Sequence, residues 1–224
     1  MTSPRYEVAV FPLPNLVFFP ATILPLHIFE PRYRQMTEDA LAGDGRILIA
    51  QLQPGWERDY EGRPPTYEIG CVGRVLEHQA LEDGRFNLLL VGVERVRIES
   101  WLDPTDKLYR IARVEPAPEA EPRDPAAASE LSLKLHRALR AWNQEQEEKS
   151  FHGQFLAPTL AYAALVNLGA LLLPLDGSER QKLLELDDLS ERGRQVLGAA
   201  EEVLARTLFL KPFRAFQPAN PRVN

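Results

Sequence analysis

Few residues in this chain are placed to do chemistry, and they are scattered. It holds four histidines and one cysteine. His27 and Glu30 lie three apart and could be imagined as metal ligands, but no second H-x-x-E or H-x-x-x-H pair joins them. The expectation is structural: Glu30 caps a helix and His27 packs beside its start. His78, His136 and His152 occur singly in different segments. Cys71 lies in an apolar run and reads as a buried, inert thiol. A lone cysteine excludes an internal disulfide and a multi-cysteine zinc site. Acid–base chemistry needs carboxylates in a pocket that perturbs their pKa values, whereas Asp187-Asp188 and Glu147-Glu148 look like caps and solvated faces. Arg95 and Arg97 could bind an anion, although pairing with Glu94 or Glu99 is the expectation. No glycine is followed by lysine, so the phosphate-cradling loop G-x-x-x-x-G-K-[ST] is absent. No catalytic set, metal site or cofactor is expected.

Aromatic residues are the better candidates for recognition. Phe11–Tyr33 holds five prolines and four phenylalanines in 23 residues. That is too apolar for a solvated loop and too proline-rich for the interior of a strand or helix. It reads as an irregular segment packed along the edge of a β core. Phe18 and Phe19 point to opposite sides if the backbone is extended, which leaves one of them for an exposed apolar patch of the kind that marks interaction sites. Trp56 and Tyr60, in a loop spanning 53–67, offer similar amphipathic surface. Phe18, Phe19, Trp56 and Tyr60 are therefore the expected peptide contacts. The alternative is that these aromatics cover the mouth of the β core or pack on the helices.

The elements that would position them follow from periodicity and turn chemistry. Strands are expected at Arg5–Phe11, Ile23–Ile28, Arg46–Leu52, Glu68–His78, Arg85–Gly92 and Leu108–Val114. Pro25 keeps the second at an edge. Pro31 fits the first position of a helix with Glu30 before it, and Gly43 closes that helix. The apolar parity changes after Gly92, so one extra residue near Glu94-Arg95 bulges or turns the strand. Residues 116–125, PAPEAEPRDP, form a stiff, extended linker. Beyond it every periodic segment is helical: one helix from Asp124-Pro125 with Leu131, Leu135, Leu139 and Trp142 inward, a buried one over Thr159–Leu168, a short one capped by Ser178 with Gln181, and a last one from Asp188. The expected division is a β subdomain at 1–115, the linker at 116–125, a helical bundle at 126–207 and a basic, proline-containing tail at 208–224.

The formal net charge is −6. Residues 1–115 carry 13 Lys/Arg against 17 Asp/Glu, net −4, so the basic excess of a nucleic-acid binder is missing. No signal peptide and no run of about 18 apolar residues is present; the expectation is a cytoplasmic protein with no membrane contact.

Several of these motifs resemble the Lon N-terminal (substrate-binding) domain family. They are FPLPNLVFFPATILPLHIFEPRYRQM at 11–36, IGCVGRV at 69–75, LLLVGVERVRI at 88–98 and LLLPLDGSERQKLLELDDLSER at 171–192. The resemblance covers about residues 5–207. It implies an α+β fold, a PUA-like β pseudo-barrel with one inserted helix followed by a C-terminal helical bundle. His27, Glu30, Pro31, Arg32 and Tyr33 then belong to a structural motif. In full Lon proteases this region helps select unfolded or tagged polypeptide for ATPase and protease modules, and neither the nucleotide loop nor the Ser–Lys protease domain is in this sequence. The expectation is a stand-alone or excised non-catalytic module that binds exposed apolar polypeptide, with self-association an open possibility. Binding of RNA or a modified nucleobase, which PUA-like barrels perform elsewhere, is the alternative that the charge disfavours.

Overall fold

The structure, a computed structural model, describes residues 4–60, 62–102, 106–146 and 150–216. Six strands, β1 (Tyr6–Leu13), β2 (Ile23–Ile28), β3 (Arg46–Gln51), β4 (Ile69–Ala80), β5 (Phe86–Leu102) and β6 (Arg110–Pro116), form one sheet in the order β2-β5-β4-β3-β1-β6. A further β5–β6 pairing closes it into a ring, leaving β2 outside as the edge strand. That is where Pro25, which has no N–H to give, can be tolerated. β1 and β3 run parallel, with Val10 opposite Leu48. The crossover between them carries β2 and the inserted helix α1 (Pro31–Ala42).

β5 belongs to both ends of the ring because it bends. Gly92 pairs with Gly73 and Glu94 with Val72, so Val93 is the extra residue. A second irregularity leaves Glu99 unopposed between Ile98 and Ser100. The change of parity therefore falls at Val93, one residue before the position read from the sequence. Small and branched side chains from every strand of the ring (Val8, Val10, Leu48, Ala50, Val72, Val96, Ala112 and Val114) cluster as its interior. On the other face Phe11, Ile47, Ile49 and Cys71 pack with Tyr33, Met36 and Ala40 of α1.

Among the described residues four α-helices follow: α2 (Pro125–Gln144), α3 (Tyr162–Leu172), α4 (Gly177–Glu185) and α5 (Leu189–Leu210). Asp124 caps α2 by accepting from the Ala126 and Ala127 amides, and Asp188 caps α5 likewise. Two expectations need correction. The buried helix starts at Tyr162, not Thr159. The capping box of α4 is made by Asp176 and Glu179, not Ser178 and Gln181; Gln181 is buried and donates instead to the Ile69 carbonyl at 3.0 Å.

Residues 116–125 are extended but stitched on both sides. The Ala117 amide donates to the Arg95 carbonyl of β5, and the Ala120 amide to the Asp187 carbonyl ahead of α5. The expected tail begins as structure, because α5 runs to Leu210 and a 3-10 turn continues over Lys211–Phe216. Residues 217–224 of that tail, Arg222 among them, lie outside the described residues, as do Glu147 and Glu148.

Candidate functional site

Glu30 occupies the cap position of α1 in extended conformation, but its side chain makes no cap bond. It reaches instead across to the 53–67 loop. Oε1 accepts from the Tyr60 hydroxyl at 3.0 Å, and Oε2 accepts from Arg32 Nε at 3.0 Å. The Arg32 guanidinium lies 4.7 Å from the Tyr33 ring centre and 5.2 Å from that of Tyr60, within cation–π range. Tyr60 in turn meets Trp56 edge-on at 5.5 Å, on a 3-10 turn that Gly55 opens with φ +90°. The EPRY motif thus fastens a long loop to the start of a helix.

The fastening borders a cleft of about 270 Å³, lined by Arg32, Tyr33, Tyr60, Leu108, Tyr109 and Arg110 among others. Its charges are mostly matched. Asp39 accepts from the Tyr109 hydroxyl at 2.7 Å and from Lys107 Nζ at 3.0 Å. The Tyr109 hydrogen bond, then Lys107, hold the Asp39 carboxyl below its usual range. Burial pushes the Tyr33 phenol up to about 12, so it stays a neutral donor. Arg110 is the exception. Its NH1 donates to the Pro64 carbonyl at 2.8 Å, and its guanidinium stacks 3.6 Å over the Trp101 ring centre. Nε is buried without an acceptor, and no carboxylate pairs with the group among the described residues. Burial, then the neighbouring Arg63 charge, lower its pKa to about 10.

The structure separates the expected recognition residues. Tyr60 lines the cleft, and half-buried Trp56 borders a neighbouring depression with Asn15 and Gln51. Phe18 and Phe19 are 1% and 0% exposed, which overturns the exposed patch expected of them. They do point opposite ways, Phe18 into the cluster around α1 and Phe19 into the helical core with Leu135 and Leu165. Both sides are covered because the helices pack onto the sheet where solvent was expected. His27 is also corrected: it is exposed, with Nδ1 2.8 Å from Asn87 Oδ1 and Nε2 3.2 Å from an Arg85 nitrogen. It decorates the β2 edge rather than packing beside α1. Arg95 is buried and pairs with Asp187 and Glu119, whereas Arg97 pairs with Glu68, not with Glu94 or Glu99. Burial raises the Cys71 thiol. Asp39, Leu108, Tyr109 and Arg110 were missed. They join the motif only through three-dimensional closure, and no spacing signal marks them.

Comparison with known proteins gives a consistent result. The family model described as "ATP-dependent protease La (LON) substrate-binding domain" matches residues 7–201. Lon protease 2 of Herpetosiphon aurantiacus is 29% identical over 206 residues, 85% of this chain and 23% of that protein. Lon protease 2 of Thermus thermophilus is 28% identical over 208 residues, covering 88% and 24%. The chain thus spans about a quarter of the length of these relatives. Among solved structures, the N-terminal domain of the Mycobacterium avium complex Lon protease superposes with a TM-score of 0.67 at 20% identity, covering 88% of this chain and 98% of that one. The Lon N-terminal domain protein of Xanthomonas campestris gives 0.59 at 23% identity, covering 86% and 98%. These likenesses establish the fold: a ring of strands with one inserted helix, then helices.

Proposed function

Because this chain belongs to the ATP-dependent protease La (LON) substrate-binding domain family, we propose that it is a binding module for polypeptide, taking exposed apolar segments without catalysing a reaction on them. The observation that carries this reading is the Glu30–Arg32–Tyr60 fastening, which holds an aromatic loop beside an open cleft. Preorganised aromatic surface binds with little entropy lost on ordering. Leu108, 65% exposed at the same cleft, adds open apolar area. Nucleic acid has less support, because the carboxylates of Glu30 and Asp39 already match Arg32 and Lys107 here and the overall charge is −6.

The test is titration with a permanently unfolded protein and with its folded counterpart. Binding of about micromolar strength is expected for the unfolded form alone. Trp56→Ser and Tyr60→Ser should each weaken it. No binding, or binding that both substitutions leave unchanged, sinks the reading.

A further inference from the structure

We propose that this cleft is a carboxylate subsite for the bound polypeptide, with the Arg110 guanidinium and the Tyr33 hydroxyl as its donors and Leu108 and Tyr60 receiving the apolar residues beside the carboxylate. The inference rests on the polypeptide-binding reading above.

Three of the four lining cations are accounted for in turn; the fourth, Arg63, adds a second positive charge close to Arg110. Arg32 is neutralised by Glu30 at 2.9 Å. Lys107 lies 3.0 Å from Asp39 and 3.7 Å from Asp106. Among the described residues Arg110 has only a neutral carbonyl and the face of Trp101, and its Nε is left without an acceptor. A half-buried cation without a counter-charge is costly to the fold, so an incoming anion would supply one that the described residues do not. A guanidinium presents a planar fork that matches a carboxylate in two parallel hydrogen bonds. Tyr33 is 3% exposed, and its hydroxyl donates to no side chain among the described residues. Two donors facing one cleft, one charged and one neutral, suit a single carboxylate.

Size and surroundings select a carboxylate on a polypeptide over a polyanion. A cleft of about 270 Å³ admits one side chain or a chain end. Glu30 pairs with the lining Arg32, and Asp39 and Asp106 with the lining Lys107, which leaves too few unmatched cations for the successive charges of a nucleic-acid backbone. Pro12, Leu52 and Pro64 add apolar patches to a lining that is otherwise polar, which fits an apolar segment carrying one acid.

The experiment uses the full chain and apolar peptides of one sequence. One ends in a free carboxylate, one in an amide, and one pair carries the amide with a single internal Glu or Gln. A carboxylate-bearing peptide should bind about tenfold more tightly than its neutral counterpart. That preference should fall to under about threefold in Arg110→Gln and shrink in Tyr33→Phe, which keeps the ring and removes only the donor. Circular dichroism confirms that both variants fold, and the acid–amide comparison on the unaltered chain is independent of them. Preference for the free terminus assigns the source to chain ends, and preference for internal Glu assigns it to side chains; either supports the subsite. Equal affinity for all peptides overturns it and leaves the binding function standing. A preference that survives both substitutions also overturns it, and absence of binding to every peptide overturns both readings.

Discussion

Replacing Glu119 by glutamine tests what holds the helices against the ring. The side chains of Arg95 on β5 and Arg192 on α5 are both 0% exposed. Glu119, from the extended segment between the two halves, is ion-paired with Arg192 and 3.9 Å from Arg95; its side chain is 18% exposed. Asp187 also pairs with Arg95 but is 70% exposed. The Leu186 carbonyl accepts from both guanidiniums. At an effective dielectric of about 20, unit charges roughly 4 Å apart interact by about 4 kcal/mol. Deleting one partner of a buried pair costs about 3–5 kcal/mol, because the remaining charge stays in place without water. Glutamine keeps an acceptor oxygen, which sets Glu119→Gln near the lower end, about 3 kcal/mol. For a chain of this size that lowers Tm by about 6–12 °C. Asp187→Asn, screened by solvent, should cost about 1 kcal/mol or less. Thermal and urea unfolding followed by circular dichroism measure both. A loss under about 1 kcal/mol for Glu119→Gln, or a larger loss for Asp187→Asn, would refute the assignment of Glu119 as the shared counter-charge. The paired change Glu119→Leu with Arg192→Met should recover only the Arg192 share of the loss, since apolar groups need no counter-charge but buried Arg95 then keeps only the exposed Asp187.

Local rules carried much of the fold. Pro31 behind Glu30 started a helix, Pro25 marked the outer strand, and Asp124 and Asp188 stood where caps belong. Those signals depend on neighbours in sequence, so the packing of distant segments left these four in place. Two errors were local, the α4 capping box placed two residues late and the start of α3 placed three residues early; the larger ones came where distant segments meet. The alternation argument for Phe18 and Phe19 was sound, yet it assumed solvent on one side, and the helical core occupies that side. Glu30 read as a cap because a carboxylate at a helix start has that partner at hand. Here Tyr60, thirty residues away, takes one oxygen and Arg32 the other. The same contact makes half of the cleft legible through the motif and the aromatic loop. The other half, Leu108 to Arg110, arrives through the closure of β6 onto β1 and β5. Nothing in its own composition announces a site.

Two further outcomes are expected. The Asp39 carboxyl is held below its unfolded value, so it contributes stability above an unfolded pKa of about 3.9 that is lost as pH falls through the folded value. Tyr109→Phe removes the main cause; it should be less stable than the parent at neutral pH, with the gap narrowing on acidification, and a pH-independent gap counts against the linkage. Gly92→Ala should be far more damaging than its size suggests. A β-carbon there would collide with the Phe19 carbonyl oxygen and lie 3.0 Å from Pro20 Cα, and backbone atoms cannot rotate aside. Relief requires breaking the Ala21 amide to Gly92 carbonyl and Gly92 amide to Thr22 carbonyl bonds, both 2.9 Å, and drawing Phe19 from the helical core. Two hydrogen bonds at about 1 kcal/mol each, plus part of a buried phenylalanine, give a loss of about 4 kcal/mol. Gly198→Ala on α5, where nothing lies within 4 Å, is the control and should be neutral or stabilising by up to about 1 kcal/mol. If both variants melt within about 2 °C of the parent, the Phe19–Pro20 segment is not clamped to β5, and burial of Phe19 does not depend on that glycine.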